Sequence, residues 1–537
     1  MTPTTVICAL LVIFIAHALR TLLRRLSSAL DNIPGPPRKS LLIGNLAQYH
    51  DPDGWEFQKE LEETYGQVVK LHGLFGAREL YVFDPAALQS ILVKDQDLYE
   101  EMPEIISLTK MMFGPGIFST TGDDHRKFRK IMQPAFSTNN LRELVPKFYE
   151  VAERARDGLV APGAADGPRM LDLNHIFCRI SLEFIGRTGI GYSFDPMLPG
   201  QEQTNQYAHA VREILPTASR LSLLMPLLPL IVDAPFPSLR RAMINVVPLP
   251  ALRTLRNLVD FVVGKAQKLV SDRKAAISSG ELSVEDDAKD IMSLLIKNNL
   301  SADGAMHLTD DELVASTSMI ISAATDTTSS ALNRMFHIAA QYPEMQEKLR
   351  AEILAAPEHL DHDALVALPY LDAFVREVLR LFPPIAPGMF RKTCEDTVLP
   401  LSAPIVGVDG TPMNTISVPK GTLIHIAIAA ANHNKQVWGA DALEFKPERW
   451  TGGKADCVTT NMCGIYGNSM TFIGGGRSCI GFKFSLLEIK ALLCVFLRAF
   501  KFSTPDPRIK WRRAGVIQIP NIDKQSQLPI LVERLKI

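Results

Sequence analysis

Cys479 sits in the run Phe472-Ile473-Gly474-Gly475-Gly476-Arg477-Ser478-Cys479-Ile480-Gly481, a setting that suits a metal-bound thiolate. Glycines bend without a Cβ penalty, so successive amide N–H groups can point at the sulfur. The following residues, Phe482 to Phe500, carry helical apolar spacing at Phe484, Leu487, Ala491 and Cys494, which predicts a helix with the cysteine at its positive end. Both effects favour S⁻ over SH. The adjoining residues hold no second cysteine or histidine, whereas zinc and iron–sulfur sites need about four protein ligands. A haem brings its own ring of nitrogens and needs a single protein ligand. The competing reading is a buried structural thiol, the usual fate of an unpaired cysteine.

Other residues carry chemistry further up the chain. Thr309-Asp310-Asp311-Glu312 reads as a capping box, and no breaker follows until Pro343, so a long helix is predicted between them. Within it Ala323-Ala324-Thr325-Asp326-Thr327-Thr328 interrupts an apolar run that includes Met319, Ile320, Ile321, Ala331 and Leu332. An acid there is costly unless partnered. Threonine hydroxyls that bond back to the i−4 carbonyl bend a helix, and beside two alanines this opens room for dioxygen and water over a metal. The competing reading is a polar patch on the solvent side of an amphipathic helix. Glu377 and Arg380 stand at i,i+3, and Pro447-Glu448-Arg449-Trp450 follows later; alone, such a pair is worth only a few tenths of a kcal/mol.

The cysteine run reads Phe-x-x-Gly-x-Arg-x-Cys-x-Gly at every position and resembles the haem-ligand signature of the cytochrome P450 family. The Pro-rich hinge Ile33-Pro34-Gly35-Pro36-Pro37-Arg38, the Gly122–Lys130 helix, the acid–threonine helix, Glu-x-x-Arg and Pro-Glu-Arg come in that family's order. The resemblance implies haem b as cofactor with Cys479 on the iron, and Phe472, Gly475, Arg477 and Gly481 shaping the loop around it. It implies that His125, Arg129 and Arg391 hold the haem propionates, with His125 where many members have tryptophan. Either ring donates an N–H, though a histidine donor is pH-sensitive. Asp326 would relay protons and Thr327 would position water beside the dioxygen being activated, with Ala324 in place of the usual glycine. Glu377, Arg380 and Arg449 would form a structural network behind the haem. Singly, each arginine also reads as a solvated charge.

The same resemblance implies a mainly α fold with small β-sheets, the cytochrome P450 fold, in a single large catalytic domain over 31–537. Its flavour is that of fungal microsomal monooxygenases that oxidise terpenoids and other secondary metabolites with O2 and electrons from NADPH–cytochrome P450 reductase. Arg126, Lys127, Lys130 and Lys483 would form a basic face for that reductase. An apolar small-molecule substrate fits the expected lining, Glu104 to Phe118, the Ala323 region and Ile385 to Met389. Rival readings are a haem-thiolate isomerase or dehydratase that needs no reductase, and a non-enzymatic haem sensor or carrier.

Bulk properties bound these expectations. Lys+Arg 57 against Asp+Glu 58 gives a net charge of −1, so no global field recruits nucleic acid. Seven scattered cysteines point to a reducing compartment rather than a disulfide framework, with Cys457 and Cys463 as ordinary loop thiols. Residues 1–30 read as a transmembrane signal-anchor and basic linker: Val6 to Ala16 is apolar, and Arg20, Arg24 and Arg25 follow it. That charge order opposes a cleaved leader and predicts a single-pass endoplasmic reticulum protein, in contact with membrane lipid, with its catalytic domain in the cytosol. The hinge prolines make a stiff spacer. Strands are expected near Val68 to Leu71, Leu80 to Phe83, Thr422 to Ile428 and Gly515 to Pro520. The Leu-, Pro- and Met-rich stretch from Leu215 to Pro250 is either core helix ends or a surface that dips into the bilayer.

Overall fold

The structure, a computed structural model, describes residues 28–159, 167–197, 206–221, 225, 228–232, 250–279, 289–300, 307–450, 461–504 and 506–535. The apolar N-terminal segment, Cys8 and Cys457 lie outside them, as does most of 215–250. Among the described residues no helix is long and apolar enough to cross a membrane.

The chain divides into two compact units, Met1–Glu100 with Pro387–Ala431, and Glu101–Ala386 with Asn432–Ile537. The strands are β1 (Val68–His72), β2 (Arg78–Val82), β3 (Tyr99–Glu100), β4 (Arg169–Asp172), β5 (Met389–Thr393), β6 (Thr397–Val406), β7 (Pro412–Val418), β8 (Leu423–Ile426), β9 (Phe500–Ser503), β10 (Lys510–Ala514), β11 (Ile517–Asn521) and β12 (Pro529–Arg534). The first unit holds a five-stranded sheet in the order β1-β2-β8-β5-β3, and the β6–β7 hairpin. Only β2 and β8 run parallel in that sheet. Val68, Leu80, Val82, Ile424 and Ile426 are buried on one face of it, and Val69 and Tyr81 on the other.

In the second unit the principal helices are α1 (Gly122–Met132), α2 (Thr138–Leu159), α3 (Leu173–Phe184), α4 (Gln206–Ser219), α5 (Asp310–Gln341), α6 (Pro369–Leu381) and α7 (Phe482–Ala499). Two small sheets, β4-β12-β9 and β10-β11, flank them. The capping box at the start of α5 is formed as the sequence predicts: Thr309 Oγ1 accepts from Glu312 N–H at 3.3 Å, and Glu312 Oε2 accepts from Thr309 N–H at 2.7 Å. α7 buries Phe484, Leu487, Ala491 and Cys494, the spacing read from the sequence. Its Phe496 joins Phe336 of α5 and Phe177 of α3, the closest of these rings having centroids 4.7 Å apart. Each such buried ring contributes about 1.5–3 kcal/mol, against 0–1 kcal/mol for an exposed ion pair, so this aromatic core sets helix packing.

The four strand regions expected from sequence are all present. The β6–β7 hairpin was not foreseen, because half of β6 is exposed and Pro400 and Pro404 break any alternation.

Candidate active site

Cys479 N–H donates to the Phe472 carbonyl at 3.0 Å and Ile465 N–H to the Ile473 carbonyl at 3.2 Å, which closes the cysteine run into a tight loop. Gly475 takes φ +72°, a left-handed conformation that favours glycine. At Gly474 the constraint is close approach: a Cβ there would lie 1.9 Å from the Cys463 carbonyl oxygen. Phe472 packs on Tyr466 and Phe482, each with ring centroids 5.9 Å away. Gly481 is the N-cap of α7, so the cysteine stands just before that helix.

The Cys479 side chain is accessible although its neighbour Ser478 is buried. Protein atoms nonetheless surround it closely enough that burial pushes its thiol up to about 11, while the Gly481 N–H and the Arg129 guanidinium pull the other way. The thiol is thus accessible at its own surface yet enclosed by protein around it. The turn amide and the nearby cation thus favour the thiolate, as the sequence predicts, while desolvation of the metal-free thiol opposes them. Cys178 and Cys494 are pushed up comparably, to about 11 and about 12, but are buried, so accessibility is what sets Cys479 apart.

The centre of α5 shows the same signature. Residues on both sides of it are buried, yet Ala323, Ala324, Asp326 and Thr327 are partly accessible, so open space lies against mid-helix. Thr325 and Thr327 donate back to the carbonyls of Ile321 and Ala323, both at 2.7 Å, as the spacing predicts. Asp326 lines a cavity of about 240 Å³ with His175, Arg212, Glu213 and Asn333, and the exposed His209 and Ser526 bring it to the surface. Burial lifts the Asp326 carboxyl to about 7; Arg212 lowers it and Glu213 raises it. Successive helical residues point about 100° apart, so Asp326 and Thr327 address different spaces. Thr328 reaches across to α7, its hydroxyl 2.7 Å from Glu488 Oε1.

Behind these elements Glu377 and Arg380 of α6 are both fully buried and paired through two hydrogen bonds of 2.8 and 2.9 Å. Arg380 also donates to the carbonyls of Asn432 and Ala442 at 2.8 and 2.6 Å. Arg449 Nε lies 3.4 Å from Glu377 Oε1, and Trp450 Nε1 donates to Oε2 at 2.9 Å. The predicted trio thus meets.

The cytochrome P450 family model matches residues 34–524. The chain belongs to the cytochrome P450 family. It is 42% identical over 539 residues to cytochrome P450 monooxygenase 91 of Postia placenta, covering 99% of this chain and 98% of that one. It is also 37% identical over 521 residues to a ganoderic acid synthetase of Ganoderma lucidum, covering 95% and 94% respectively. The family is one of haem-thiolate, oxygen-incorporating oxidoreductases, and its members use O2 and a redox partner.

The residues of this P450 fit a haem, since a single accessible thiol deep in the protein is the donor set such a macrocycle requires. Arg129 donates to the Ser478 carbonyl and hydroxyl at 2.7 and 3.0 Å, which holds it against the cysteine loop with donors to spare. His125 is buried on α1. Arg477 donates to the Thr120 carbonyl at 2.9 Å and lies 3.9 Å from Glu101. Arg391 belongs to the other unit, buried on β5 with its guanidinium donating to the Phe390 carbonyl at 2.7 Å.

Sequence reading missed Glu488, Asp441 and the buried Lys490. Asp441 accepts from Arg449 at 3.1 Å, and Lys490 pairs with Asp372 at 2.8 Å. The available signal was an acid and a base inside the apolar run Leu486 to Leu493.

Gly474→Ala is expected to push the loop off the Cys463 carbonyl at roughly 1–3 kcal/mol or more. A lowered melting temperature and less Soret absorbance per protein than wild type would show it.

Proposed function

We propose that this chain is a microsomal haem-thiolate monooxygenase that oxidises an apolar, terpenoid-type small molecule in fungal secondary metabolism. It takes O2 and electrons from NADPH–cytochrome P450 reductase and uses haem b. The observation that carries this reading is the accessible, deep Cys479 thiol in its glycine loop at the head of α7. Cys479 would ligate the iron, and His125, Arg129 and Arg391 would take the propionates. When bound, the haem supplies dioxygen activation and C–H oxidation.

The chain's own residues do the rest. Asp326, lifted to about 7, both accepts and releases a proton near neutral pH, and its cavity reaches the surface at His209 and Ser526. Thr327 donates to its own helix, which leaves its hydroxyl oxygen free to accept from water. Glu377, Arg380 and Arg449 hold the backbone of the Asn432–Arg449 region in place. Phe113 and Phe118 offer apolar surface to substrate, and the ganoderic acid synthetase relative supports a terpenoid class.

The basic residues Arg126 and Lys130 on α1, with Lys483, are exposed and Lys127 is partly so, which supports reductase docking there. Residues 1–30 would anchor the protein in the endoplasmic reticulum membrane with its catalytic part in the cytosol. The Asp326–Thr327 pair weighs against an isomerase or a haem carrier, neither of which needs proton delivery to dioxygen.

The test is the difference spectrum of the dithionite-reduced, CO-bound protein in recombinant microsomes, wild type beside Cys479→Ala. A strongly red-shifted Soret band in wild type, absent from the variant, is expected. Its absence from haem-loaded wild type would remove Cys479 as ligand and end the monooxygenase reading.

A further inference from the structure

Glu488 is a buried acid that the mechanism above does not use. It is fully buried on α7 among Leu486, Leu487 and Ile489, themselves buried. Its Oε1 lies 2.7 Å from the Thr328 hydroxyl, and its Oε2 has no hydrogen-bond partner among the described residues. An ionised carboxylate with one neutral donor and no cation is too costly in such a core. Burial accordingly pushes its pKa well above the ordinary carboxylate range, with only the Thr328 hydrogen bond opposing. Leucine would pack there without that cost.

The contact joins two elements that matter. Thr328 directly follows Asp326 and Thr327 on α5, while α7 begins at Phe482, just past Cys479. Thr325 and Thr327 spend their hydroxyls within α5; Thr328 spends its own on α7. An apolar helix face tolerates small slides, because volume-conserving repacking costs little, whereas a hydrogen bond at this distance is directional.

We propose that Glu488 is a positioning residue for the reaction: as a neutral acid it accepts the Thr328 hydroxyl hydrogen and holds the acid–threonine turn of α5 in register with the helix headed by the cysteine loop. This rests on the haem-thiolate reading above. The Thr328–Glu488 hydrogen bond, rather than packing alone, then sets how Thr327 stands relative to the thiolate.

The test uses full-length, haem-loaded protein, reduced and bound to CO. The Soret position reports the thiolate, and the infrared C–O stretch reports the groups over the iron. Thr328→Val and Glu488→Leu should each shift or broaden the stretch while the red-shifted Soret band stays. The double variant should go no further than the larger single change, as expected for partners in one bond. Thr328→Ser and Glu488→Gln keep the bond and should keep the wild-type stretch.

Stability gives a second readout. Burial raises the folded Glu488 carboxyl above its ordinary 4.5, so the stability tied to its proton is fully present below that value and declines as pH rises. Glu488→Gln should therefore melt about 2 °C or more above wild type at pH 8, with the gain vanishing near pH 4.

A stretch unchanged in both Thr328→Val and Glu488→Leu, additive shifts in the double variant, or Glu488→Gln melting below wild type at pH 8 would each overturn the proposal alone. A wild type without the red-shifted Soret band would overturn the haem-thiolate reading and this proposal with it. Thr328→Val changes one hydroxyl to a methyl, so the test does not depend on Glu488→Leu folding.

Discussion

Arg380→Leu should leave little folded, haem-loaded protein. Arg380 is wholly buried and gives hydrogen bonds to both oxygens of Glu377 and to three backbone carbonyls, two of them short. Desolvation by itself would raise the Glu377 carboxyl, yet the Arg380 hydrogen bonds and charge bring it below its ordinary value. Removing Arg380 leaves that carboxylate with Arg449 at 3.4 Å, Trp450 and the Lys446 N–H. Breaking a buried pair from one side costs roughly 3–5 kcal/mol, a large part of the roughly 5–15 kcal/mol that holds a domain folded. Arg380→Lys should fall between, since one ammonium cannot grip two carboxylate oxygens and three carbonyls at once. Because the folded pKa of Glu377 is depressed, the stability it contributes is fully present above its ordinary pKa of 4.5 and is lost progressively as pH falls from there through the lower folded pKa. Thermal melts with Soret absorbance of each variant from pH 4 to 8 check this. An Arg380→Leu protein that melts within a degree or two of wild type would refute it.

Asp326→Asn is the second large effect, and it falls on activity. A carboxyl held at about 7 exchanges protons at working pH, and an amide cannot. Loss of a positioned acid–base group typically costs 10²–10⁴-fold, so reductase-supported product formation should drop by roughly that factor while the CO spectrum stays intact. Wild-type turnover should respond to pH around 7, and the Asn variant should lose that response. Stability should move the other way. The folded pKa is raised from 3.8, so the acid's stability is fully present below 3.8 and declines as pH rises toward 7. Asp326→Asn should therefore melt a few degrees above wild type at pH 8 and match it near pH 4. Equal melting at pH 8, together with undiminished turnover, would show that Asp326 is neither desolvated nor a proton donor.

Much of this site was legible as local pattern. The capping box at Thr309, the back-bonding threonines and the apolar spacing of α7 are short-range rules that do not depend on the rest of the fold. The Glu377–Arg380 spacing was legible as a pair, but its weight was not. The same i,i+3 spacing at Asp123–Arg126 forms an exposed pair worth little, and only burial separates the two.

The sequence alone determined the family, the cysteine loop, the long helix that carries Asp326 and Thr327, and the order of the motifs, because each is written in contiguous residues. The tertiary structure decided what no contiguous stretch contains. It placed Arg129 on Ser478, opened a surface-reaching cavity beside Asp326, joined Arg449 to Glu377 and bridged Thr328 to Glu488. It also added an effect the motif does not contain: turn amides and a helix end favour a thiolate, while the surrounding protein pushes the Cys479 thiol up to about 11. Desolvation sums over every atom that the fold brings near, whereas a motif records only neighbours along the chain.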